Sequence, residues 1–260
     1  MKGNRIIVLM CLLLLSAAVS CSVKEDRSVC PCRLRLDFSG TDTSAVPGIS
    51  LLLSDSGRYR CKEELPASDF MPEYMVEVPR TDIFVNVFAG NDLKVDPDKG
   101  LTIPVGSQCP LLNSCHFTAD ASGEESYARV GLNKNHCVMS ITVRKNDALK
   151  YGLCVKGNIC GYGIDGTLLE GDFLYEPDSG ADGAYVVVLP RQKDSSLKLE
   201  VDDGTDVLKT FALGEYVASC GYDWNDKDLK DIEVTIDWAQ TKIMLAVKGW
   251  DQVKEYEIVI

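Results

Sequence analysis

Apolar and polar residues alternate along several short stretches of this chain, and turn residues separate these stretches. The first runs from Cys32 to Phe38, where Cys32, Leu34, Leu36 and Phe38 are separated by charged residues. A period of two places alternate side chains on opposite faces of a strand, so this stretch predicts a strand with one buried face. Apolar runs and the turn residues between them predict further strands at 49–53, 74–78, 82–89, 100–105, 116–118, 126–132 and 137–143. The strand at 116–118 lies within a predicted long loop over 106–126.

Beyond residue 150 the chain continues in short apolar runs of the same kind. These runs predict strands at 151–159, 166–175, 184–189, 196–201, 205–213, 232–238, 241–247 and 256–260. No long segment has a 3.6-residue period, and only Asp226 to Lys230 predicts a short helical turn. Regular short strands favour a β-sandwich over βαβ units, so the predicted fold class is all-β. We place a domain boundary in the polar stretch 145–150, which divides the folded part into domains 30–148 and 149–260.

The amino terminus has the pattern of an export signal. Lys2 and Arg5 precede the apolar run Ile6 to Leu15, and small residues then lead to Cys21. This run is too short for a membrane span, which needs roughly 20 residues. We therefore interpret residues 1–20 as a signal peptide that is removed and residues 21–29 as a tether.

The residues around Cys21 predict a lipid anchor. Ala18-Val19-Ser20-Cys21 resembles a bacterial lipobox, in which the cysteine is acylated, and two or more acyl chains give stable membrane anchoring. The alternative is an ordinary signal peptide followed by a structural cysteine. The next five residues resemble the short acidic tags that send Bacteroidetes lipoproteins to the outer face of the outer membrane, although a solvated tether has the same composition. This predicted export tag consists of Ser22, Val23, Lys24, Glu25 and Asp26.

The net charge argues against one class of partner. The chain carries 27 basic and 39 acidic side chains, and loss of Lys2 and Arg5 with the signal leaves 25 basic against 39 acidic, a net charge of −14. Such a surface repels the phosphates of nucleic acids and gains nothing from anionic lipids. We therefore predict no nucleic-acid partner.

The chain contains eleven cysteines, of which one lies in the signal and one is the proposed lipid site. Nine remain, so at least one is unpaired in a monomer. An exported chain can form disulfides, and the nearest candidate pairs are Cys109–Cys115 and Cys154–Cys160. Many of the nine lie within apolar runs, where cysteine behaves as a small buried hydrophobic residue. We expect most of them to be free and buried.

Two clusters of residues resemble parts of a zinc site. His116 and His136 are the only histidines, they adjoin Cys115 and Cys137, and Cys109 is near in sequence. Zinc prefers nitrogen and sulfur ligands, but this spacing matches no zinc finger or ribbon. Neighbouring residues on a strand also point to opposite faces, so His136 and Cys137 are poorly placed to share one ion. The alternative is that these are structural side chains.

Oxygen ligands for calcium are equally incomplete. Asp96-x-Asp98-x-Gly100 and Asn225-Asp226-x-Asp228 each offer two or three of them. Neither stretch completes an EF-hand pattern, and Asp, Asn and Gly are also the residues that turns use. We therefore predict no metal and no cofactor.

No motif in the chain predicts an enzyme. Gly161-x-Gly163-x-x-Gly166 matches a dinucleotide fingerprint as a string, but no helix is predicted after it, so a glycine-rich β turn explains it better. There is no nucleophile elbow, and nothing singles out one pair of carboxylates for glycoside hydrolysis. Trp224, Trp238 and Trp250 could line a sugar-binding face or lie in a core. The alternating pattern Ile232, Val234, Ile236, Trp238 predicts that Trp238 is buried. For Trp224 the sequence does not decide between the two roles.

Several stretches, taken in order, resemble the FimB/Mfa2-type fimbrial anchor lipoproteins of Bacteroidetes, a fimbrillin-related family. The resemblance covers nearly the whole mature chain and is carried by residues 25–34, 155–162, 189–193, 211–216, 221–224, 228–232, 236–237 and Trp250. It implies two tandem transthyretin-like β-sandwich domains after a lipoprotein signal peptide. It also implies a protein held in the outer membrane by the lipid on Cys21, at the base of a fimbrium.

The resemblance implies a partner as well, because pilus subunits of this class join by exchanging strands. An incomplete sheet presents unpaired backbone groups, which a strand of a pilin subunit can satisfy. The predicted function is therefore to anchor or cap a fimbrium, and the alternative is a surface adhesin or glycan-binding lipoprotein without a pilus. The last β-like run either completes the protein's own sheet or is donated. This predicted partner-binding segment consists of Tyr256, Glu257, Ile258, Val259 and Ile260.

Overall fold

The computed structural model describes residues 30–41, 48–69, 71–91, 93–144, 151–180, 183–237, 242–249 and 253–257. Within these ranges the chain forms nineteen strands, one α-helix of seven residues and one turn of 3-10 helix at Ala67–Asp69. The predicted all-β fold class is therefore confirmed. No helix in the described part of the chain is long and apolar enough to cross a membrane.

Two sheets enclose the first core. The smaller sheet has the order β4 (Glu73–Val78), β1 (Cys32–Asp37), β9 (Glu125–Arg129). The larger has the order β10 (Asn133–Lys134), β8 (Asn113–Asp120), β5 (Asp82–Ala89), β2 (Gly48–Ser54), β3 (Arg60–Pro66). Alternate residues of β1, among them Leu34 and Leu36, are fully buried against Leu51, Val85 and Val87. Removing this apolar surface from water is what holds the two sheets together.

Two further sheets enclose a second core. One has the order β14 (Ala184–Pro190), β11 (His136–Arg144), β17 (Ile232–Asp237), β18 (Lys242–Val247), β19 (Val253–Glu257). The other has the order β16 (Val207–Phe211), β15 (Lys198–Asp202), β12 (Gly152–Tyr162), β7 (Gly100–Thr102), β6 (Val95–Asp96), and β13 (Leu168–Tyr175) also pairs with β12. The helix α1 (Leu213–Ser219) adds Leu213 and Val217 to this core.

A third apolar cluster joins strands from both pairs of sheets. Leu52 on β2 lies between Leu51 and Leu53, which face the first core, so its side chain leaves the opposite face of the strand. There it packs in one cluster with Phe88 of β5 and with Tyr162 of β12. Because β2 is buried on both faces, it contains three consecutive leucines, Leu51 to Leu53, instead of a strict alternation of apolar and polar residues.

The division into two domains at residues 145–150 stays a prediction, and this stretch lies outside the described residues. The pairing of β11 bears on it, because β11 precedes the predicted boundary. It pairs antiparallel with β14 and parallel with β17, and its residues Met139 and Ile141 are buried in the second core. Although β11 precedes the predicted boundary, its strand partners all follow that boundary in sequence.

Most strands lie where the alternation predicts them, and the errors have local causes. β3 was not predicted because its exposed positions are strongly charged, as in Cys61-Lys62-Glu63-Glu64. The helical turn predicted at Asp226–Lys230 is wrong, because side chains hold this loop in turns and bends: Asp228 Oδ1 accepts a hydrogen bond from Lys134 N at 2.8 Å. The strand predicted over 205–213 ends at Phe211, and α1 begins two residues later.

All nine cysteines from Cys30 onward are free thiols, so neither candidate disulfide forms. Cys154 and Cys160 lie on the same strand, β12, where six residues span about 20 Å, whereas a disulfide needs Cα atoms within about 7 Å. Cys109 is buried in the second core, while Cys115 packs against the first. Burial raises the pKa of the Cys115 thiol to about 11 and that of Cys137 to about 12, so both stay protonated.

Candidate functional site

The strand β19 forms one edge of the sheet that contains β14, β11, β17 and β18. It pairs antiparallel with β18, with Tyr256 opposite Ile243, and no other described strand pairs with its outer side. Val253, at its start, is 62% exposed. The unpaired backbone groups of such an edge are a template for a further strand.

The helix α1 holds β19 in place through Tyr256. The ring of Tyr256 stacks on that of Tyr216, with 4.7 Å between centroids, and its hydroxyl donates to Tyr216 O at 3.2 Å. The same hydroxyl is hydrogen-bonded to Ser219 Oγ, and Lys254 Nζ donates to Ser219 O. Burial is the main cause of the raised pKa of the Tyr256 hydroxyl, which therefore stays protonated.

The structure describes only the first two residues of the predicted partner-binding segment. Tyr256 and Glu257 belong to β19, which completes this protein's own sheet. Ile258 to Ile260 lie outside the described residues, as do the lipidation site Cys21 and the export tag 22–26. The roles predicted for all of these residues stay predictions.

The strand β14 forms the opposite edge of the same sheet and carries no charged residue. A loop covers it at Val188, whose carbonyl accepts from Cys109 N at 3.0 Å and whose N–H donates to Gln108 Oε1 at 3.3 Å. Beside this loop lies a mainly apolar cleft of about 690 Å³, lined in part by Leu93, Leu111 and Val186. The loop thus forms hydrogen bonds with backbone groups of β14 that would otherwise be unpaired at an uncharged edge.

A second cavity, of about 550 Å³, is lined mainly by polar side chains, and we call it the polar pocket. Arg191 is part of its lining and is held by four hydrogen bonds. Its Nε and Nη2 donate to Asn135 Oδ1 at 3.0 and 2.7 Å, Nη2 also donates to Asp226 O at 2.9 Å, and Nη1 donates to Trp224 O. Tyr162 supports the arrangement, because its hydroxyl donates to Asn135 O at 2.8 Å and accepts from Arg191 N at 3.2 Å.

The glycine-rich motif forms one wall of the polar pocket. The motif ends β12 and begins its hairpin connection to β13, where Gly163 N donates to Thr167 O at 2.8 Å, which agrees with a β turn rather than a nucleotide loop. Gly166 has φ of 78°, and a Cβ there would lie 2.4 Å from the ring of His116. Only glycine lets the turn pack this closely on His116.

The side chains considered as metal ligands, for which no metal is predicted, have separate roles in the structure. His116 lies in the polar pocket, whereas the buried His136 places Nδ1 2.8 Å from Leu112 O. Asp96 Oδ1 accepts from the backbone N–H groups of Asp98 and Lys99, so this carboxylate serves a turn. Within the described residues, no three His, Cys, Asp or Glu side chains are grouped to hold a metal ion.

Trp224 is buried at 6% exposure and meets Tyr222 edge to face, with 4.9 Å between ring centroids. It therefore packs in the second core instead of forming an exposed platform for a sugar. Trp238 and Trp250 lie outside the described residues.

Comparison with known proteins identifies the fold. No protein-family model and no curated protein matches the chain. Among solved structures, a candidate polysaccharide-binding protein from Bacteroides thetaiotaomicron VPI-5482 is similar with a TM-score of 0.62 and 15% identity, over 87% of this chain and 98% of that chain. A candidate adhesin from Bacteroides ovatus is similar with a TM-score of 0.60 and 11% identity, over 88% and 96%.

The fimbrial anchor protein Mfa2 from Porphyromonas gingivalis shares the same fold, with a TM-score of 0.58 and 12% identity over 85% of this chain and 98% of that chain. The resemblance to fimbrial anchor proteins is therefore confirmed at the level of the fold. Sequence identities this low show a common fold and leave the activity to be argued from the molecule.

Proposed function

We propose that this chain anchors or caps a fimbrium by pairing the edge strand β19 with a strand of a pilin subunit. The observation that carries the proposal is the outer side of β19, with which no described strand pairs, in a sheet whose other edge, β14, is hydrogen-bonded at Val188 by a loop. An added strand would continue the ladder of β18 and β19 and place alternate side chains against the two faces of the sheet.

The contacts of Tyr256 support a role as acceptor rather than donor. Withdrawing β19 for donation would break the stack on Tyr216, the hydrogen bonds to α1 and the whole pairing with β18. Adding a strand to its outer side breaks none of these contacts. We therefore expect β19 to stay in place and receive the partner strand.

Similar structures support a surface location and a binding role. Mfa2 is named as a fimbrial anchor, another similar structure is a candidate adhesin, and none of the three structures reported above is named as an enzyme. We extend this to an outer-membrane lipoprotein that is exposed at the cell surface and held by a lipid on Cys21. A non-enzymatic role follows from the same proposal.

The edge can be tested with a matched pair of charge substitutions. Val253 on β19 and Val207 on β16 are 62% and 57% exposed, and each lies on an edge strand of a different sheet. We expect Val253→Lys to reduce capture of the pilin subunit roughly tenfold, since a charge at an edge disfavours pairing, and Val207→Lys to leave capture unchanged. Equal capture by both variants and the wild type would show that β19 is not the docking edge.

The anchoring role needs a test in cells. Affinity purification from native outer membranes should recover a pilin subunit with the wild-type protein, and Cys21→Ala should release both this protein and the fimbriae from the cells. If no pilin is recovered and the fimbriae stay attached in Cys21→Ala cells, the anchor proposal fails. The alternative function, a surface adhesin without a pilus, would then stand.

A further inference from the structure

The strongest feature that the proposed function does not use is the polar pocket. Its volume of about 550 Å³ lies within the range of about 300–1,000 Å³ that small-molecule sites occupy. Its side chains come from segments far apart in sequence, including β8, the β12–β13 turn and the loop after Trp224. The fold therefore gathers polar groups from separate segments into one cavity.

Arg191 gives this pocket a fixed positive charge. All four of its hydrogen bonds described above go to neutral oxygens of Asn135, Trp224 and Asp226, and within the described ranges no carboxylate forms an ion pair with its guanidinium. One N–H on Nη1 has no acceptor in this set, because a guanidinium has five donors. A side chain held in this way is prepared to bind an anionic oxygen without losing further conformational freedom.

Other side chains of the pocket suit hydroxyl groups. Asn133 and Lys227 line it without a side-chain hydrogen bond in the described part of the chain. Asp165 also lines it and uses Oδ1 for Thr167 N at 3.1 Å and Thr167 Oγ1 at 2.6 Å. Its Oδ2 is left to accept from a ligand. An amide, an ammonium group and a carboxylate around one cavity match the alternating donors and acceptors of a sugar ring.

We propose that the polar pocket binds an acidic sugar, with the carboxylate of the sugar at Arg191 and its hydroxyl groups at Asn133 and Asp165. The separate positive and negative charges favour this ligand over a neutral sugar, which leaves Arg191 unpaired, and over a simple anion, which has no ring hydroxyl groups to donate to Asp165. This site is independent of strand pairing at β19. A fimbrial anchor or an adhesin would use it to hold an acidic glycan at the cell surface.

Calorimetric titration of the full mature chain tests the proposal with three probes. We expect trigalacturonate to bind at least tenfold more tightly than the neutral maltotriose and than citrate, which has carboxylates but no sugar ring. Equal binding of maltotriose would overturn the role of the carboxylate. Equal binding of citrate would overturn the sugar, and no binding of trigalacturonate at millimolar concentration would overturn the site.

Variants locate the binding in the pocket. We expect Asn133→Ala to weaken trigalacturonate binding several-fold and Arg191→Gln to weaken it roughly tenfold or more. Because Arg191 also holds the loop at Trp224, the Asn133→Ala result keeps the test valid if Arg191→Gln fails to fold. Lys198→Ala, at an exposed position of β15 outside the pocket, is the matched control and should bind normally.

Unchanged affinity in Asn133→Ala, together with unchanged affinity in a folded Arg191→Gln, would place the sugar elsewhere. Capture of a pilin subunit should be normal in Asn133→Ala, whereas Val253→Lys should bind trigalacturonate normally. Failure of the pocket and failure of the β19 proposal are therefore seen in different variants.

Discussion

Polar side chains around the start of β11 form hydrogen bonds with groups from other segments of the chain. Asn135 is 8% exposed and donates through Nδ2 to Ser114 Oγ at 2.7 Å, while His136 Nδ1 donates to Leu112 O. Asp231 accepts from Val138 N at 2.9 Å and from Lys134 Nζ. Burial alone raises the pKa of Asp231, but the hydrogen bonds from Lys134 and Val138 outweigh it, so the net pKa is lowered.

His136 makes the stability of the protein depend on pH. Burial lowers its pKa, with Leu112 O opposing the shift, so the folded state resists protonation while the unfolded state takes up a proton near pH 6.5. Its contribution is therefore fully present above about pH 6.5 and is lost as the pH falls toward the lowered pKa, by about 1.4 kcal/mol for each unit of depression. We expect the midpoint of urea unfolding to fall between pH 7 and pH 5.

The substitution His136→Asn keeps a donor for Leu112 O and should remove this part of the pH dependence. The matched control is His116→Asn, because His116 is exposed and is the only other histidine. If the wild type and His136→Asn have the same pH profile, His136 does not account for the dependence.

For single residues, the sequence predicted the chemical state of a side chain better than it predicted which residues that side chain contacts. The cysteines are free thiols as predicted, but only four of the nine described are buried, so the expectation that most are buried is wrong. The roles of Arg191 and Asn135 were missed, because their contacts join residues 56 positions apart and no local pattern marks them. The only sequence signal near the polar pocket was Gly166. Its sequence context identified it as a turn residue, but not its close packing on His116.

Among the elements, the loop over β14 has the clearest testable role. Gln108 is the acceptor for Val188 N, and removing it leaves this backbone donor without a partner beside an uncharged strand. We expect Gln108→Ala to lower the free energy of unfolding by about 1 kcal/mol and to increase aggregation measured by light scattering. Gln108→Glu, which keeps the acceptor oxygen, should stay close to the wild type. An equally strong effect of both substitutions would show that the hydrogen bond is not the cause.

Alternation predicted the strands with one buried face, such as β1 and β11, because a period of two needs only local information. It missed β3, an edge strand whose position depends on pairing with β2, and it missed α1. The seven-residue helix follows a strand-like run, and its position is set by contacts such as Gly214 N to Leu197 O at 2.8 Å. Short elements of this kind depend on tertiary contacts more than on propensity.

At the scale of the whole molecule, the third apolar cluster connects the strands around the first core with those around the second. Leu52 and Phe88 come from β2 and β5, whereas Tyr162 comes from β12, and its hydroxyl also reaches Asn135 O and Arg191 N. The pairing of β7 with β12 adds backbone hydrogen bonds near the same cluster. Loss of structure in one core therefore exposes apolar surface that the other core needs, which couples their unfolding.

This coupling predicts a single calorimetric unfolding transition in the wild type that separates into two when the cluster is weakened. Phe88 is 2% exposed, and Phe88→Ala should cost about 3–5 kcal/mol and resolve two transitions, because the lost contacts lie in the third cluster. Phe38→Ala is the matched control: Phe38 is 1% exposed within the first core, so a similar loss should occur without the separation. Two transitions already present in the wild type would mean that the cores unfold independently, as expected for two separate domains. One transition in Phe88→Ala would mean that other contacts couple them.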